Sequence, residues 1–152
     1  MGKNKTSIEA MSEIRLDAQS RNLDFDYRLK EARRFSRKVQ NGENTHFVYF
    51  ISSYWFNFVK IGITRQTNLV YRLQALQVGN PFPLDYIGLV ITRRPRKTER
   101  NLHFTYREYQ ATGEWFDIKD QYVNEIKSRY QDEYFDVGVA SIEYALIPGK
   151  TI

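Results

Sequence analysis

The spacing of apolar residues predicts helices near the N-terminus, followed by a mixture of strands and helices. In residues 1 to about 40, one apolar series recurs at steps of four and three: Phe25, Leu29, Ala32, Phe35 and Val39. This spacing is typical of one face of an amphipathic helix. The preceding segment, Ser7 to Gln19, predicts a second helix, and the stretch QNGENT then interrupts the pattern as a linker.

From His46 to about Ile118, the pattern changes to short strands and helices. The runs FVYFI and FVKIGIT are rich in aromatic and β-branched residues. They predict two strands that the short stretch SSYWFN joins as an antiparallel hairpin. Asn68 is a candidate N-cap for a helix from Leu69 to Val78, and GNPFP ends this helix because Gly79 accepts a left-handed conformation.

The remaining pattern predicts two more strands and two more helices. LDYIGLVITR has the composition of a third strand, Thr98 is a candidate cap for a helix from Glu99 to about Gln110, and GEWF follows. Beyond them, Lys119 to Tyr134 predicts a surface helix and Gly138 to Ile147 a final strand.

The order of core elements is therefore β-β-α-β-α, which predicts an α+β fold with a short antiparallel sheet flanked by helices. We expect residues 1–45 to form a basic helical extension. We expect residues 46–152 to form the main domain, with a C-terminal helix and strand.

Composition narrows the class of partner and the compartment. The net charge is +5 and the sequence pI is about 9.4, which favours a polyanion such as nucleic acid. Cysteine is absent, which excludes disulfides and thiolate metal sites and suits a reducing interior. No apolar run approaches the ~18 residues that a membrane span needs. We therefore expect an intracellular protein, cytoplasmic or nucleoid-associated, that does not enter membranes.

Certain polar residues are candidates for chemistry because each lies at an element end or on a short helix among apolar neighbours. They are Tyr49, Lys60, Arg72 and Glu99. Lys60 lies near Gly62, where the missing side chain allows a ligand to approach the backbone. His103 follows Glu99 by one helical turn on the same face. Taken singly, each residue has an ordinary structural role as a strand aromatic, an edge charge, an ion-pair partner or a dipole partner.

Short motifs containing these residues occur in a fixed order. They are VYFI from Val48, VKIG from Val59, RLQALQVGNP from Arg72, ERNLH from Glu99 and GEWF from Gly113. Together they resemble the GIY-YIG nuclease superfamily, and more narrowly its divergent branch in phages, bacteria and fungal meiotically up-regulated proteins. The resemblance covers about half of the chain. Phe47 replaces the glycine of the first superfamily motif, and Lys60 replaces the usual tyrosine of the second.

The resemblance implies a metal-dependent endonuclease that cuts a nucleic-acid phosphodiester, most simply of DNA, with one divalent metal and water. It implies Glu99 as the ligand of Mg²⁺ or Mn²⁺, and Glu114 is the other available carboxylate. Arg72 would hold the phosphate with its planar fork. The chain is thereby expected to be a hydrolase with a nucleic-acid substrate.

The resemblance also implies a residue that steers or deprotonates the attacking water, and Tyr49 and Lys60 are both candidates. We hypothesise that Lys60 takes the role usually given to the second tyrosine. His103 has three candidate roles: carrying a proton, binding phosphate or orienting Glu99. Trp115 and Phe116 are interpreted as core residues, with base stacking as the alternative.

The basic helix near the N-terminus has two compatible interpretations. In the first, its cations neutralise phosphates together with one residue of the second strand: Arg28, Arg33, Arg34, Arg37, Lys38 and Arg65. In the second, its apolar face packs on a partner protein or on a second copy in a homodimer.

The main alternative function is a nucleic-acid-binding module that uses the same groove with weak or no cleavage. The departures at Phe47 and Lys60 favour this module, whereas Tyr49, Arg72 and Glu99 together favour the enzyme. A pure protein-interaction domain would give these last three residues no purpose.

Overall fold

The fold was analysed on a computed structural model that describes residues 27–40 and 45–136. Helix α1 runs through residues 27–40. The other elements are β1 His46–Ser52, β2 Phe58–Arg65, α2 Leu69–Gln77, β3 Asp85–Val90, α3 Pro95–Thr105, β4 Gln110–Thr112, β5 Trp115–Asp117, α4 Lys119–Arg129 and β6 Tyr134–Phe135. Short 3₁₀ turns, Gln66–Asn68 and Arg107–Tyr109, precede α2 and β4. None of the helices described here has the length and apolar character needed to cross a membrane.

The strands form one antiparallel sheet with the order β4-β5-β2-β1-β3-β6, which confirms the predicted α+β class. The hairpin of β1 and β2 lies at its centre, with Tyr49 opposite Gly62 and Ile51 opposite Lys60. Its loop is held by Lys119, whose Nζ donates to the carbonyls of Ser53 at 2.5 Å and Phe56 at 3.2 Å. The predicted hairpin is therefore confirmed.

The two faces of the sheet bury two separate apolar cores, because side chains alternate along each strand. Val48 and Phe50 of β1 join a core that includes side chains of α3 and α4. Phe47, Tyr49 and Ile51 point to the opposite face and join side chains of α1 and α2. The second face therefore carries both Tyr49 and the helix that contains Arg72.

Helix α1 packs on the second face of the sheet. Leu29 and Ala32 are buried there, and Phe35 and Val39 pack beside them. The side chain of Gln40 is fully buried, and its Nε2 donates to the carbonyls of His46 at 2.9 Å and Thr92 at 2.7 Å. The apolar face of α1 thus covers the chain's own sheet. Binding of a partner or second copy through α1 stays a prediction, and it would use the other faces of the helix.

Removing the Gln40 amide is expected to loosen α1. Gln40→Ala leaves two buried carbonyl groups without their donor, which should lower the free energy of unfolding by about 2 kcal/mol. The measurement is chemical denaturation followed by circular dichroism. Gln110→Ala is the matched control, because Gln110 is exposed and makes a hydrogen bond to the Gly113 carbonyl. Equal effects of the two substitutions would contradict this role of Gln40.

Several predicted element boundaries are wrong. Helix α3 begins at Pro95, with Arg94 as its N-cap, so Thr98 is not the cap and Glu99 lies beyond the first turn. Proline is well suited to the first helical position because its ring fixes φ and it has no amide hydrogen to satisfy. The same helix ends at Thr105, and a 3₁₀ turn and β4 replace the rest of the predicted helix.

The other boundaries differ in smaller ways. Helix α4 ends at Arg129, and the predicted end of the helix, Tyr134, lies in β6. Asn68 is the N-cap of α2 but its side chain makes no capping hydrogen bond. Gly79 follows α2 with a φ of 78°, as predicted. The predicted helix 7–19, most of the linker and the predicted strand 138–147 lie outside the described residues.

Candidate active site at the edge of β2

The candidate site lies where β2 extends beyond its neighbour β5. The register of these strands covers Phe58 to Lys60, and the Ile61 amide then donates to the Glu114 carbonyl at 3.0 Å. The Ile61 carbonyl accepts a hydrogen bond from Nε2 of His103 at 2.8 Å. This bond fixes α3 against the edge of β2, so that the helix brings Glu99 and His103 to the strand that carries Lys60.

Two carboxylates and an imidazole meet at this edge. Glu99, His103 and Glu114 each offer one ligand atom, and these atoms lie within 4.8 Å of one another. Oε2 of Glu99 is buried and has no hydrogen-bond partner within residues 27–40 and 45–136. A buried carboxylate oxygen without a donor is unfavourable unless a cation or proton compensates it. The donor set fits Mg²⁺ or Mn²⁺, which prefer carboxylate oxygens and accept water in the remaining positions.

The charges around Glu99 act in opposite directions. Burial raises the pKa of Glu99 above its ordinary value, and the neighbouring Glu114 charge raises it further. The nearby positive groups lower this pKa, in the order His103, Arg96 and Lys60. Lys60 itself is paired with Glu114, since its Nζ donates to Oε1 at 2.8 Å and its side chain is only 12% exposed. The candidate site therefore holds two carboxylates close together, and Lys60 is hydrogen-bonded to one of them, Glu114.

The side chain of Tyr49 extends from β1 over β2 at Gly62. A Cβ built on Gly62 would collide with the hydroxyl and ring of Tyr49. The expectation that Gly62 leaves room for a ligand is therefore wrong, because the Tyr49 side chain occupies that room. The ring is held in turn by Tyr86, at a centroid distance of 5.8 Å and an interplanar angle of 85°.

Burial keeps the Tyr49 phenol protonated at neutral pH. It raises the pKa of Tyr49 far above its ordinary value, and the Arg72 charge opposes this shift only in part. Glu114 and Glu99 add to the increase in pKa. Tyr49 is therefore within electrostatic range of Arg72 on α2, of Glu99 on α3 and of Glu114 just before β5. The structure thus brings together the residues selected from the sequence motifs: Tyr49, Lys60, Arg72, Glu99 and His103.

The predicted nucleic-acid-binding residues lie on α1 and at the end of β2. Arg34, Arg37, Lys38 and Arg65 are exposed. Arg28 and Arg33 are partly buried.

Sequence reasoning missed a second group of cations at the start of α3: Arg93, Arg94, Arg96 and Lys97. Cations are disfavoured at a helix N-terminus because of its positive partial charge. This run has no acidic residue in the first turn to balance it. Burial lowers the pKa of His46, and the charges of Arg96 and Arg65 lower it further. Arg96 also lowers the pKa of Glu99, which burial raises. In the sequence, the run RRPRK at residues 93–97 was the signal that could have revealed these cations.

Comparison with known families identifies the class as a phage-associated domain of the endonuclease-like type. The family is that of the T5orf172 domain, whose model matches residues 46–143. Since this match spans more than half of the chain, the chain belongs to the T5orf172 domain family. No curated protein and no solved structure gave a significant match.

Proposed function

We propose that the protein is a metal-dependent endonuclease of GIY-YIG type that hydrolyses phosphodiester bonds in nucleic acid, with DNA as the first substrate to test. One observation carries the proposal. A carboxylate oxygen of Glu99 lies with ligand atoms of His103 and Glu114 within 4.8 Å of one another, and Lys60 is hydrogen-bonded to Glu114. Oε2 of Glu99 is buried and finds no hydrogen-bond partner among the described residues. The family supports a nuclease-like or nucleic-acid-binding module at a coarser level.

Glu99 would hold Mg²⁺ or Mn²⁺, with Glu114 and His103 as neighbouring ligands. When bound, the metal supplies Lewis-acid stabilisation of the phosphoryl and leaving oxygens. Arg72 extends into solvent from α2 and would bind phosphate oxygens through its guanidinium fork. Together these groups would fix the scissile phosphate at the edge of β2.

Tyr49 and Lys60 have different roles in this proposal. The protonated phenol of Tyr49 donates a hydrogen bond and so steers the attacking water or a phosphate oxygen. Lys60 stands where the superfamily usually has tyrosine, and its bond to Glu114 would orient that carboxylate. His103 is bound to the Ile61 carbonyl through Nε2, which leaves its other ring nitrogen to bind the metal or to carry a proton.

Lys60→Met is expected to slow cleavage by about 10- to 100-fold, the usual range for loss of a group that orients a metal ligand. Burial raises the pKa of Glu99 and the Lys60 charge is one of those that lower it, so loss of this charge should move the pH–rate profile to higher pH. Lys60→Arg keeps a donor and a positive charge and should recover part of the rate. A rate and profile equal to those of the wild type would disprove a role for Lys60.

The experiment that tests the function uses plasmid and single-stranded DNA, each incubated with Mg²⁺, Mn²⁺ or EDTA. Nicked or linear products that require the metal support the enzyme. The second candidate function is a binding module, and the replacement of a motif tyrosine by Lys60 favours it. DNA binding without cleavage under all metal conditions would establish that alternative and reject the enzyme.

Nucleic-acid affinity is expected to fall steeply with added salt, because cations on α1 and β2 displace counterions from phosphates. Arg34→Ala and Arg37→Ala should each reduce the slope of log affinity against log salt by about one. Arg107→Ala is the control, since Arg107 is exposed but lies over the Phe104 ring, outside these elements. A flat salt response would argue against phosphate binding by α1.

A further inference from the structure

An uncharged groove lined by aromatic rings lies beside the candidate site. It consists of two adjoining cavities of about 280 and 430 Å³ that share Phe56, Phe58 and Asn80. The first is also lined by Trp115 and Thr112, and the second by Phe82. We call this surface the aromatic groove. Among the described residues, no Asp, Glu, Lys or Arg lines either cavity.

The rings of the aromatic groove are arranged around Phe56. Its ring centroid lies 5.7 Å from that of Phe58, 5.3 Å from Phe82 and 5.9 Å from Trp115. Phe58 and Phe82 nevertheless remain 37% and 41% exposed. Large aromatic surface left in solvent is unfavourable for a free protein and is typical of a binding site.

Both walls of the aromatic groove are held in place by hydrogen bonds. On one side, Lys119 binds the carbonyl of Phe56 in the hairpin loop. On the other, Nε2 of Gln77 donates to the carbonyls of Asn80 at 3.2 Å and Phe82 at 2.9 Å, and Oε1 accepts from the Leu84 amide at 2.8 Å. The turn that presents Phe82 is therefore preorganised, which reduces the entropic cost of binding a ligand.

The aromatic groove adjoins the carboxylate cluster at Trp115, the first residue of β5. Trp115 lies opposite Lys60 in the sheet and directly follows Glu114. An uncharged aromatic surface next to a charged centre matches the two parts of a nucleotide: a flat, uncharged base and a phosphate. We propose that the aromatic groove binds an unstacked nucleobase adjacent to the phosphate held near Glu99, so that the protein selects single-stranded or locally unpaired nucleic acid. This inference rests on the proposed function.

The test measures binding by the full chain in EDTA, where no cleavage interferes. Three fluorescently labelled DNAs are compared by anisotropy: a short single strand, the same strand with abasic positions and the corresponding duplex. The abasic strand keeps every phosphate, so a difference in affinity reports the bases alone. The intact single strand should bind about 5- to 100-fold more tightly than the abasic strand, as expected for stacking of one base on aromatic side chains.

Phe58→Ala and Phe82→Ala should remove most of this preference. Phe104→Ala should retain it, because Phe104 is 66% exposed on α3 and lines neither cavity. If either alanine variant unfolds at a lower temperature, Phe82→Leu keeps an apolar side chain without the ring and should still lose the preference. A second readout uses Trp55→Phe, which leaves Trp115 as the single tryptophan. Its fluorescence should be quenched by the intact strand and not by the abasic strand.

Equal binding of the intact and abasic strands would overturn the proposal, and so would equal binding of single strand and duplex. Self-association that Phe82→Ala abolishes would assign the aromatic groove to a second copy instead. Failure of the enzyme proposal is distinguishable: base-dependent binding without metal-dependent cleavage rejects the nuclease and keeps the aromatic groove. Metal-dependent cleavage without base-dependent binding keeps the nuclease and rejects base binding by the aromatic groove.

Discussion

Glu99→Gln is expected to slow metal-dependent strand cleavage by about 100- to 1,000-fold. This is the range for removal of one preorganised electrostatic group. The amide keeps the size of the side chain but removes the charge. Oε2 of Glu99 is buried without a partner in the part of the chain that the structure describes, so a nearby cation would stabilise its charge. The measurement is the rate of plasmid nicking at saturating Mg²⁺ or Mn²⁺.

The same substitution should not destabilise the metal-free protein. Burial raises the pKa of Glu99, so its favourable contribution to folding is complete at low pH and is lost as the pH rises through the folded-state pKa. At neutral pH the charged carboxylate therefore opposes folding, and Glu99→Gln should leave the melting temperature in EDTA unchanged or higher. A binding assay should show that DNA affinity persists.

Glu108→Gln is the matched control for both measurements. Glu108 is exposed and lies in the 3₁₀ turn after α3, outside the carboxylate cluster. It should leave cleavage and melting temperature unchanged. If the Glu99→Gln variant cleaves at the wild-type rate, Glu99 is not a metal ligand. Glu114 would then be the remaining carboxylate candidate.

Gly62→Ala is expected to destabilise the protein by about 3 kcal/mol, at the upper end of the usual range for overpacking. The added methyl group must displace Tyr49, which is only 2% exposed and wedged against Tyr86. Displacement of Tyr49 should also impair cleavage, because the phenol no longer reaches the edge of β2. Denaturation curves and nicking rates measure the two effects.

Two comparisons separate this collision from the general cost of replacing glycine. Gly79→Ala should cost about 1–2 kcal/mol through its left-handed φ of 78° and leave cleavage intact, since no described residue other than its chain neighbours comes within 4 Å of the added atom. In a Tyr49→Ala background, Gly62→Ala should cost much less than in the wild type, which a double-mutant cycle measures. Additive effects would contradict direct contact between the two side chains.

The central hairpin was predictable because its information is local. Aromatic and β-branched runs joined by a short loop define β1 and β2, and the alternation of side chains places Tyr49 and Lys60 on one face. The left-handed Gly79 after α2 follows from equally local turn chemistry. By contrast, the capping signal at Thr98 predicted a helix that begins at Glu99. The helix begins at Pro95 instead, because proline suits the first helical position.

The composition of the site was only partly predictable, because its contacts join distant parts of the chain. The bond from Lys60 to Glu114 depends on the pairing of β2 with β5, and motif order says nothing about that register. The contact between Gly62 and Tyr49 was equally hidden, since a strand glycine has the same appearance whether a ligand or a side chain fills its space. The basic run at the start of α3 was visible beside Glu99 in the sequence, but the interaction of Arg96 with His46 depends on the fold.

The bond between His103 and the Ile61 carbonyl determines which tautomer the imidazole adopts. A carbonyl oxygen only accepts, so the proton of the neutral ring resides on Nε2 and the lone pair on Nδ1. The backbone of β2 thereby sets the basic atom of a side chain on α3, as carbonyl groups do for metal-binding histidines when they accept from the other ring nitrogen. The register that places the Ile61 carbonyl opposite His103 therefore also decides which ring nitrogen carries the lone pair.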